Sequence, residues 1–398
     1  MKRLLILTLM AALCLCTMDA QKQKRSGKRS AKETTEARAE RLYKEAEDYY
    51  FGTDKVFMNR EKAAELYRQS AELGYPPAMT MLGVGYHDAD MGLEKDSEKC
   101  IYWLRKAAEA GNAYGQWCLS KCYNQGFGVP KDEEQSMYWN KLAAENGMAD
   151  SQYGLGLLLK LDDSEISPKL KAAGYKQDLK QAEYWLTKAA EQKYADAYMA
   201  LAKLYYKTGD NEKMVQWAIK AADEKIPEAV NLCGTTMYNG FGGFPEDKDK
   251  AFKYLSEAVN MLDKYPEESQ WLVLLCLGQC YYFGNGTGQN HNLAFKYFSM
   301  IATNAYSSSS YHDVPYYLGD YYSGLYNVTN PDNYKAMEYY RIAMENGSQW
   351  GKLKYAVGIY KGTIGKPNRR KALKMIKELA RDGFPVAINF LNEIGQKY

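Results

Sequence analysis

Histidine is almost missing from this chain of 398 residues: His87, His291 and His312 stand far apart, with no Cys or acidic spacing around them. Zinc centres and His-based catalytic sites draw on closely spaced donors, so neither is expected, and no metal or cofactor is assigned. Proline is sparse at 11 residues, and with 46% hydrophobic, 25% charged and 14% aromatic residues the composition excludes a disordered or fibrous chain. No apolar run reaches the ~20 residues that span a bilayer as a helix. The longest is Leu4 to Cys16, 13 residues. A large excess of one charge is also lacking. Net charge is +3, and removing residues 1–32 leaves 44 basic against 48 acidic side chains, so the body of the chain is not a nucleic-acid binder by charge.

What is present begins at the amino terminus. Lys2 and Arg3 precede the run Leu4–Cys16, which is followed by Thr17-Met18-Asp19-Ala20, the pattern of a secretory signal peptide over residues 1–20. A mature chain is expected to start near Gln21, with no membrane span, in a bacterial periplasm or outside the cell. Leu13 and Leu15 precede Cys14 and Cys16, which disfavours lipidation. Residues 21–35 read as a flexible basic leader, with Lys22, Lys24, Arg25, Lys28, Arg29 and Lys32 and no acidic residue before Glu33.

From residue 36 onward the chain repeats itself. Aligning KAAEAG (106–111), KLAAENG (141–147) and TKAAEQK (187–193) exposes a mostly aromatic column upstream: Leu66, Trp103, Trp139, Trp185, Trp217, Tyr254, Tyr297, Tyr339 and Met375. Three residues before it runs a small or adaptable column: Ala63, Cys100, Ser136, Ala182, Met214, Ala251, Ala294, Ala336 and Ala372. Successive copies lie 37, 36, 46, 32, 37, 43, 42 and 36 residues apart, the period of a stacked helical-pair array. A second apolar stretch in each copy, such as Ala113 to Tyr123 or Leu272 to Tyr282, follows i, i+3, i+4, i+7 spacing and predicts a helix. The turn Asn124–Asp132 joins the two, with glycines ending one helix and Pro130 and Asp132 starting and capping the next. These turns follow helices rather than strands, which excludes phosphate loops. Gly83, Gly154, Gly156, Gly278 and Gly319 lower helix propensity and predict close helix-to-helix approach.

Residues 123–156, YNQGFGVPKDEEQSMYWNKLAAENGMADSQYGLG, resemble the Sel-one-like repeat (SLR), within the tetratricopeptide-like class. The resemblance runs over about 36–396 and weakens at the fifth unit, where Lys207-Thr-Gly209-Asp210 shortens the turn. It implies an all-α fold, an α/α superhelical solenoid of about nine helix-pair repeats over 36–398, closed by helices near 36–50 and 385–396. It further implies a non-catalytic scaffold or adaptor that binds a protein partner on a concave wall lined by the first helix of each pair. Side chains expected to be exposed there are Tyr114, Trp117, Lys121, Tyr153, Met199, Lys203, Tyr206 and Asn231. Tyr and Trp among them supply contact area with little rotamer loss. The alternatives are an envelope glycan as ligand, or a β-lactam-interacting enzyme like the cysteine-rich branch of the family.

That branch pairs cysteines regularly in every unit, whereas Cys100, Cys118, Cys122, Cys233, Cys276 and Cys280 cluster irregularly and read as buried thiols. Cys118/Cys122 and Cys276/Cys280 sit four apart on helices, where bridging is seldom permitted. Carboxylates such as Glu109, Glu145 and Glu345 fall at helix ends as solvated groups, so no catalytic constellation stands out. Two insertions, 161–180 and 305–314, read as edge loops with room for contacts. Asn285-Gly-Thr287, Asn327-Val-Thr329 and Asn346-Gly-Ser348 match the glycosylation pattern as chance occurrences in turns.

Overall fold

The computed structural model describes residues 33–301, 303–325 and 331–398, so the expected signal segment, nearly all of the basic leader and the Asn327 pattern lie outside the described residues. Every regular element among the described residues is helical. The chain divides into two compact units, Met1–Ser151 and Gln152–Tyr398. The first holds α1 (Thr35–Phe51), α2 (Arg60–Glu72), α3 (Pro76–Asp88), α4 (Ser97–Glu109), α5 (Ala113–Gln125) and α6 (Glu133–Glu145). Helix α7 (Ala149–Lys160) begins at the boundary. The second unit continues with α8 (Pro168–Ala172), α9 (Leu179–Glu191), α10 (Ala195–Thr208), α11 (Asn211–Asp223), α12 (Pro227–Asn239), α13 (Lys248–Ala258), α14 (Glu267–Phe283) and α15 (His291–Ser299). It closes with α16 (Val314–Tyr322), α17 (Asn333–Glu345), α18 (Gln349–Lys361), α19 (Arg369–Arg381) and α20 (Pro385–Glu393). Setting aside the short α8 and the terminal α20, these are nine helix pairs, as the nine copies of the sequence columns predict.

One device recurs in all nine pairs. The residue before each second helix is Asn59, Asp96, Asp132, Asp178, Asp210, Asp247, Asn290, Asp332 or Asn368, and its side chain accepts a hydrogen bond from a backbone N–H in the first turn at 2.9–3.1 Å. Its own backbone N–H donates at 2.8–3.1 Å to a carbonyl in the last turns of the first helix: Tyr49, Tyr86, Tyr123, Leu159, Tyr205, Met237, Tyr281, Tyr322 or Ile359. One residue therefore satisfies an orphan donor of one helix and an acceptor of the other, and fixes where the second helix starts relative to the first. The bond forms equally in the two-residue turn Gly209–Asp210 and across the long 161–177 insertion before Asp178. The Asp96 and Asp247 carboxyls are held below the usual range, chiefly by the backbone N–H of Lys99 and Lys250 respectively. A depressed folded value contributes stability above the unfolded pKa, and that contribution is lost as pH falls through the folded one.

The two sequence columns are packing columns. The small column is buried at every copy except Ser136, which is half-buried. Rings of the aromatic column stack on the preceding first helix in three copies: Tyr198 on Trp217 with centroids 5.9 Å apart, Tyr281 on Tyr297 at 5.8 Å, and Tyr322 on Tyr339 at 5.7 Å. The predicted close approach is found where a Cβ on Gly83 would stand 2.6 Å from Leu104 and one on Gly278 2.5 Å from the ring of Phe298. A buried carboxylate, Asp320, accepts from the hydroxyls of Tyr282 and Tyr340, both at 2.7 Å, and from the Lys354 ammonium at 3.0 Å. It thereby ties α14, α17 and α18 to α16.

Both insertions expose much of their length, yet each is anchored by a few buried side chains. The first buries Ile166 and Leu170 and is pinned by the backbone N–H of Gln177 on Asp163 (2.7 Å) and by Lys207 on Asp162 (2.7 Å). The second buries Ala305, Tyr306, Tyr311 and Val314, and the Tyr311 hydroxyl donates to the Glu268 carbonyl at 3.1 Å. Replacing Asp132→Ala removes a cap and is expected to lower stability by about 1 kcal/mol, while Asp132→Asn restores most of it. Denaturant melts of the two variants check this.

Candidate functional site

In the first unit, α5 presents Tyr114, Trp117, Cys118, Lys121, Cys122 and Gln125 at i, i+3, i+4, i+7, i+8 and i+11, which is one face of a helix. That face looks onto Val84, His87 and Asp88 from the end of α3, the first helix of the preceding pair, with Leu104 of α4 beneath. Together they line a cavity of about 440 Å³. Asn112 starts α5 by accepting from the Gly115 N–H at 2.8 Å, and Gly126 at positive φ ends it. The exposed length of α5 is thus bounded at both ends by sequence.

The Tyr114 and Trp117 rings stack with centroids 5.8 Å apart and planes 19° apart. The Lys121 ammonium lies 5.2 Å from the Trp117 centroid and takes part in no ion pair among the described residues. Across the cavity, His87 Nδ1 meets Asp88 Oδ1 at 2.6 Å, and the His87 ring sits edge-on to Phe127 at 4.5 Å. Burial pushes the Tyr114 hydroxyl up to about 12. It does the same to the Cys118 thiol, also to about 12, with the neighbouring Cys122 adding to the effect. A neutral thiol is a poor nucleophile and metal ligand. The cavity therefore offers an apolar floor, an aromatic wall, one cation and one imidazole–carboxylate pair, a lining suited to holding a side chain.

Three of the eight residues singled out in the sequence, Tyr114, Trp117 and Lys121, converge on this cavity. The other five belong to the second unit. Tyr206 is 75% exposed, as expected. Lys203 is exposed and paired with Glu228 at 2.7 Å, and Tyr153 is half-buried with its ring 5.1 Å from that of Tyr194. Asn231 is half-buried, its Oδ1 enclosed without a hydrogen-bond partner. Met199 corrects the expectation. At 8% exposed it lies in the main core of the second unit, because α10 turns that flank, with Ala200 and Ala202, into the packing and leaves Lys203 and Tyr206 outside.

Sequence reasoning missed Val84, His87, Asp88, Leu104 and Gln125. A signal for two of them existed: Val84 and Asp88 occupy the positions in α3 that Lys121 and Gln125 occupy in α5, so one face of two adjacent first helices builds the walls. All six cysteines among the described residues are buried and unbridged, as the irregular spacing predicts. The amides of Asn285 and Asn346 donate to the Tyr238 hydroxyl (3.2 Å) and the Ile342 carbonyl (2.9 Å). No group of three or more His, Cys, Asp or Glu arranged to hold a metal occurs among the described residues, and no described helix is long and apolar enough to cross a membrane.

The chain belongs to the Sel1 repeat family, which matches residues 39–75, 76–112, 113–148, 149–194, 227–261, 275–306, 316–348 and 353–384. The longest unmatched stretch between matched repeats, 195–226, is the fifth unit, yet α10 and α11 form the same capped pair there. A crystal structure of a protective antigen from uropathogenic Escherichia coli strains, displaying an SLR fold, is 23% identical over 90% of this chain and 73% of its own, with a TM-score of 0.57. A Sel1 repeat protein from Oxalobacter formigenes is 25% identical over 79% of this chain and 84% of its own (TM-score 0.43). An immunity protein from Pseudomonas aeruginosa is 18% identical over 56% and 81% (TM-score 0.33). No curated protein matches the chain. Sel1-repeat proteins are generally non-catalytic helical scaffolds for protein interaction.

The burial of the thiols has a direct readout. The chain from Gln21 to Tyr398 is expected to show no rapidly reacting thiol at neutral pH when native and six when denatured. Titration with a chromogenic disulfide reagent under both conditions gives the counts, and fewer than six in denaturant contradicts the unbridged assignment.

Proposed function

We propose that the protein is an exported scaffold whose first unit captures a protein partner through the cavity between α3 and α5. The observation that carries this reading is the convergence of Tyr114, Trp117 and Lys121 with an apolar floor on one cavity of about 440 Å³. Stacked aromatic rings beside an ammonium that lacks a carboxylate match the Trp, Tyr and Arg-like chemistry of interface hot spots, where an apolar anchor is desolvated and a charge pairs at its edge. The anchor expected from the partner is a large apolar side chain flanked by a carboxylate, which would face Lys121. The first helices of the second unit, with Tyr206, Lys203 and Asn231, present a surface of their own to the same or another partner.

Export rests on the amino-terminal pattern alone: Lys2 and Arg3, the apolar run Leu4–Cys16, and the small residue Ala20. Amino-terminal sequencing of the protein recovered from its native host is expected to begin near Gln21. A chain still beginning at Met1 and retained in the cytoplasm contradicts it.

The interaction is tested by affinity capture with the chain from Gln21 onward, identification of the enriched protein, and titration of that purified partner against Trp117→Ala and Lys121→Glu variants that melt like the unsubstituted chain. Loss of a hot-spot ring is expected to weaken binding by about 30-fold or more. Unchanged affinity in both variants overturns the site, and retention of a glycan instead of a protein replaces the partner class.

A further inference from the structure

The small net charge of the body conceals a strong segregation. Residues 33–360 carry 35 basic against 45 acidic side chains, while residues 361–398 carry nine basic against three acidic. The excess is concentrated on α19, whose sequence RRKALKMIKELAR contains six cations and one carboxylate. Arg370, Lys374, Lys377 and Arg381 are spaced by four, three and four residues, so they align on one face over about 16 Å. The opposite face, Ala372, Ile376, Leu379 and Ala380, is buried in the core of the second unit.

Internal counter-charges do not account for this line. Glu378, the one carboxylate of the helix, is engaged by Lys352 of α18 at 3.0 Å. Its carboxyl is held low first by that contact and then, at longer range, by Lys374 and Arg381 among others. The Arg369 guanidinium lies over the Tyr360 ring at 5.5 Å, and the Lys377 ammonium donates to the Lys397 carbonyl. Arg370, Lys374 and Arg381 are exposed and form no ion pair among the described residues. Like charges one helical turn apart repel, so an uncompensated row weakens its own helix unless a negative surface lies opposite it. Several exposed lysines elsewhere in the array are paired within their own turn, as Lys62 with Glu65 at 2.9 Å and Lys188 with Glu191 at 3.0 Å, while isolated ones such as Lys121 stand singly and not in a row.

The composition of the row selects the kind of surface. No aromatic ring stands in it on which a base could stack, and no exposed large apolar side chain stands in it to anchor a protein interface. What remains is a straight, shallow, purely cationic face, complementary to a plane of smeared negative charge. We propose that the α19 face docks the protein electrostatically on an anionic lipid surface. Clusters of four to eight Lys and Arg on an amphipathic helix bind such surfaces. Because the apolar face of α19 is already buried, the helix adsorbs by charge without inserting. This surface belongs to the second unit and is separate from the cavity proposed for a protein partner.

The test is sedimentation of the chain from Gln21 to Tyr398 with vesicles of phosphatidylcholine alone and with about one-third phosphatidylglycerol, at about 0.05 M and about 0.5 M salt. Binding is expected to the anionic vesicles only, to be lost at high salt, and to weaken by about tenfold or more in an Arg370→Gln/Lys374→Gln/Arg381→Gln variant with an unchanged melting curve. A charge-keeping Arg370→Lys/Arg381→Lys variant is expected to bind normally, which separates lost charge from lost structure. Failure of the unsubstituted chain to bind anionic vesicles overturns the proposal. Equal binding by the triple-Gln variant does so too and assigns adsorption to the leader cations. Tighter binding to an acidic peptide or a duplex DNA than to the vesicles, abolished by the same variant, replaces lipid as the partner.

Discussion

A single capping residue between the two helices of each pair is the constraint on which the structure depends. Its side chain opens the second helix and its backbone N–H closes on the first, so two otherwise independent cylinders share one fixed junction. Helix-pair arrays lack contacts between distant segments, and their order comes from local geometry repeated faithfully. With the junction fixed, the small column lets each second helix approach its neighbour and the aromatic column fills the space left beside it. Turn length becomes almost irrelevant, because the bond spans whatever loop lies between. This explains how a two-residue turn and a long insertion occur in consecutive units without interrupting the array.

The same local logic positions the cavity of the first unit. Adjacent first helices α3 and α5 both face the cavity, the rings of Tyr114 and Trp117 coming from the first half of α5 and the polar residues from the last turns of the two helices. His87, Asp88, Lys121 and Gln125 are therefore placed by the ends of two helices, and the floor by Leu104 of α4 together with the inner flank of α5. The thiols of Cys118 and Cys122 belong to that floor. Burial keeps Cys118 protonated, which makes it an apolar surface rather than a reactive one.

The helix pairs were legible in the sequence because packing columns recur at a period that only stacked pairs produce, and the three clustered contact residues were legible because exposed aromatics on a first helix stand out against Ala and Leu. Met199 was not, since it occupies the same helical position as Trp117 and only the rotation of α10 against its neighbours decides which side chain faces inward. The anchoring of the insertions was hidden for a related reason: Ile166 and Tyr311 look like ordinary loop apolar residues until the surface they cover is in view. Whole-chain charge arithmetic averaged away the basic face of α19, whereas the spacing of Arg370, Lys374, Lys377 and Arg381 already carried it.

The central claim is that a partner docks in the cavity between α3 and α5. It is tested most directly by placing a photoreactive amino acid at Tyr114, on the cavity wall, and separately at Tyr184, half exposed on the second helix α9, and irradiating the protein in its native host. The account predicts one covalent adduct with a discrete protein from position 114 and none from position 184. Adducts from 184 alone, or the same adduct from both positions, would contradict it.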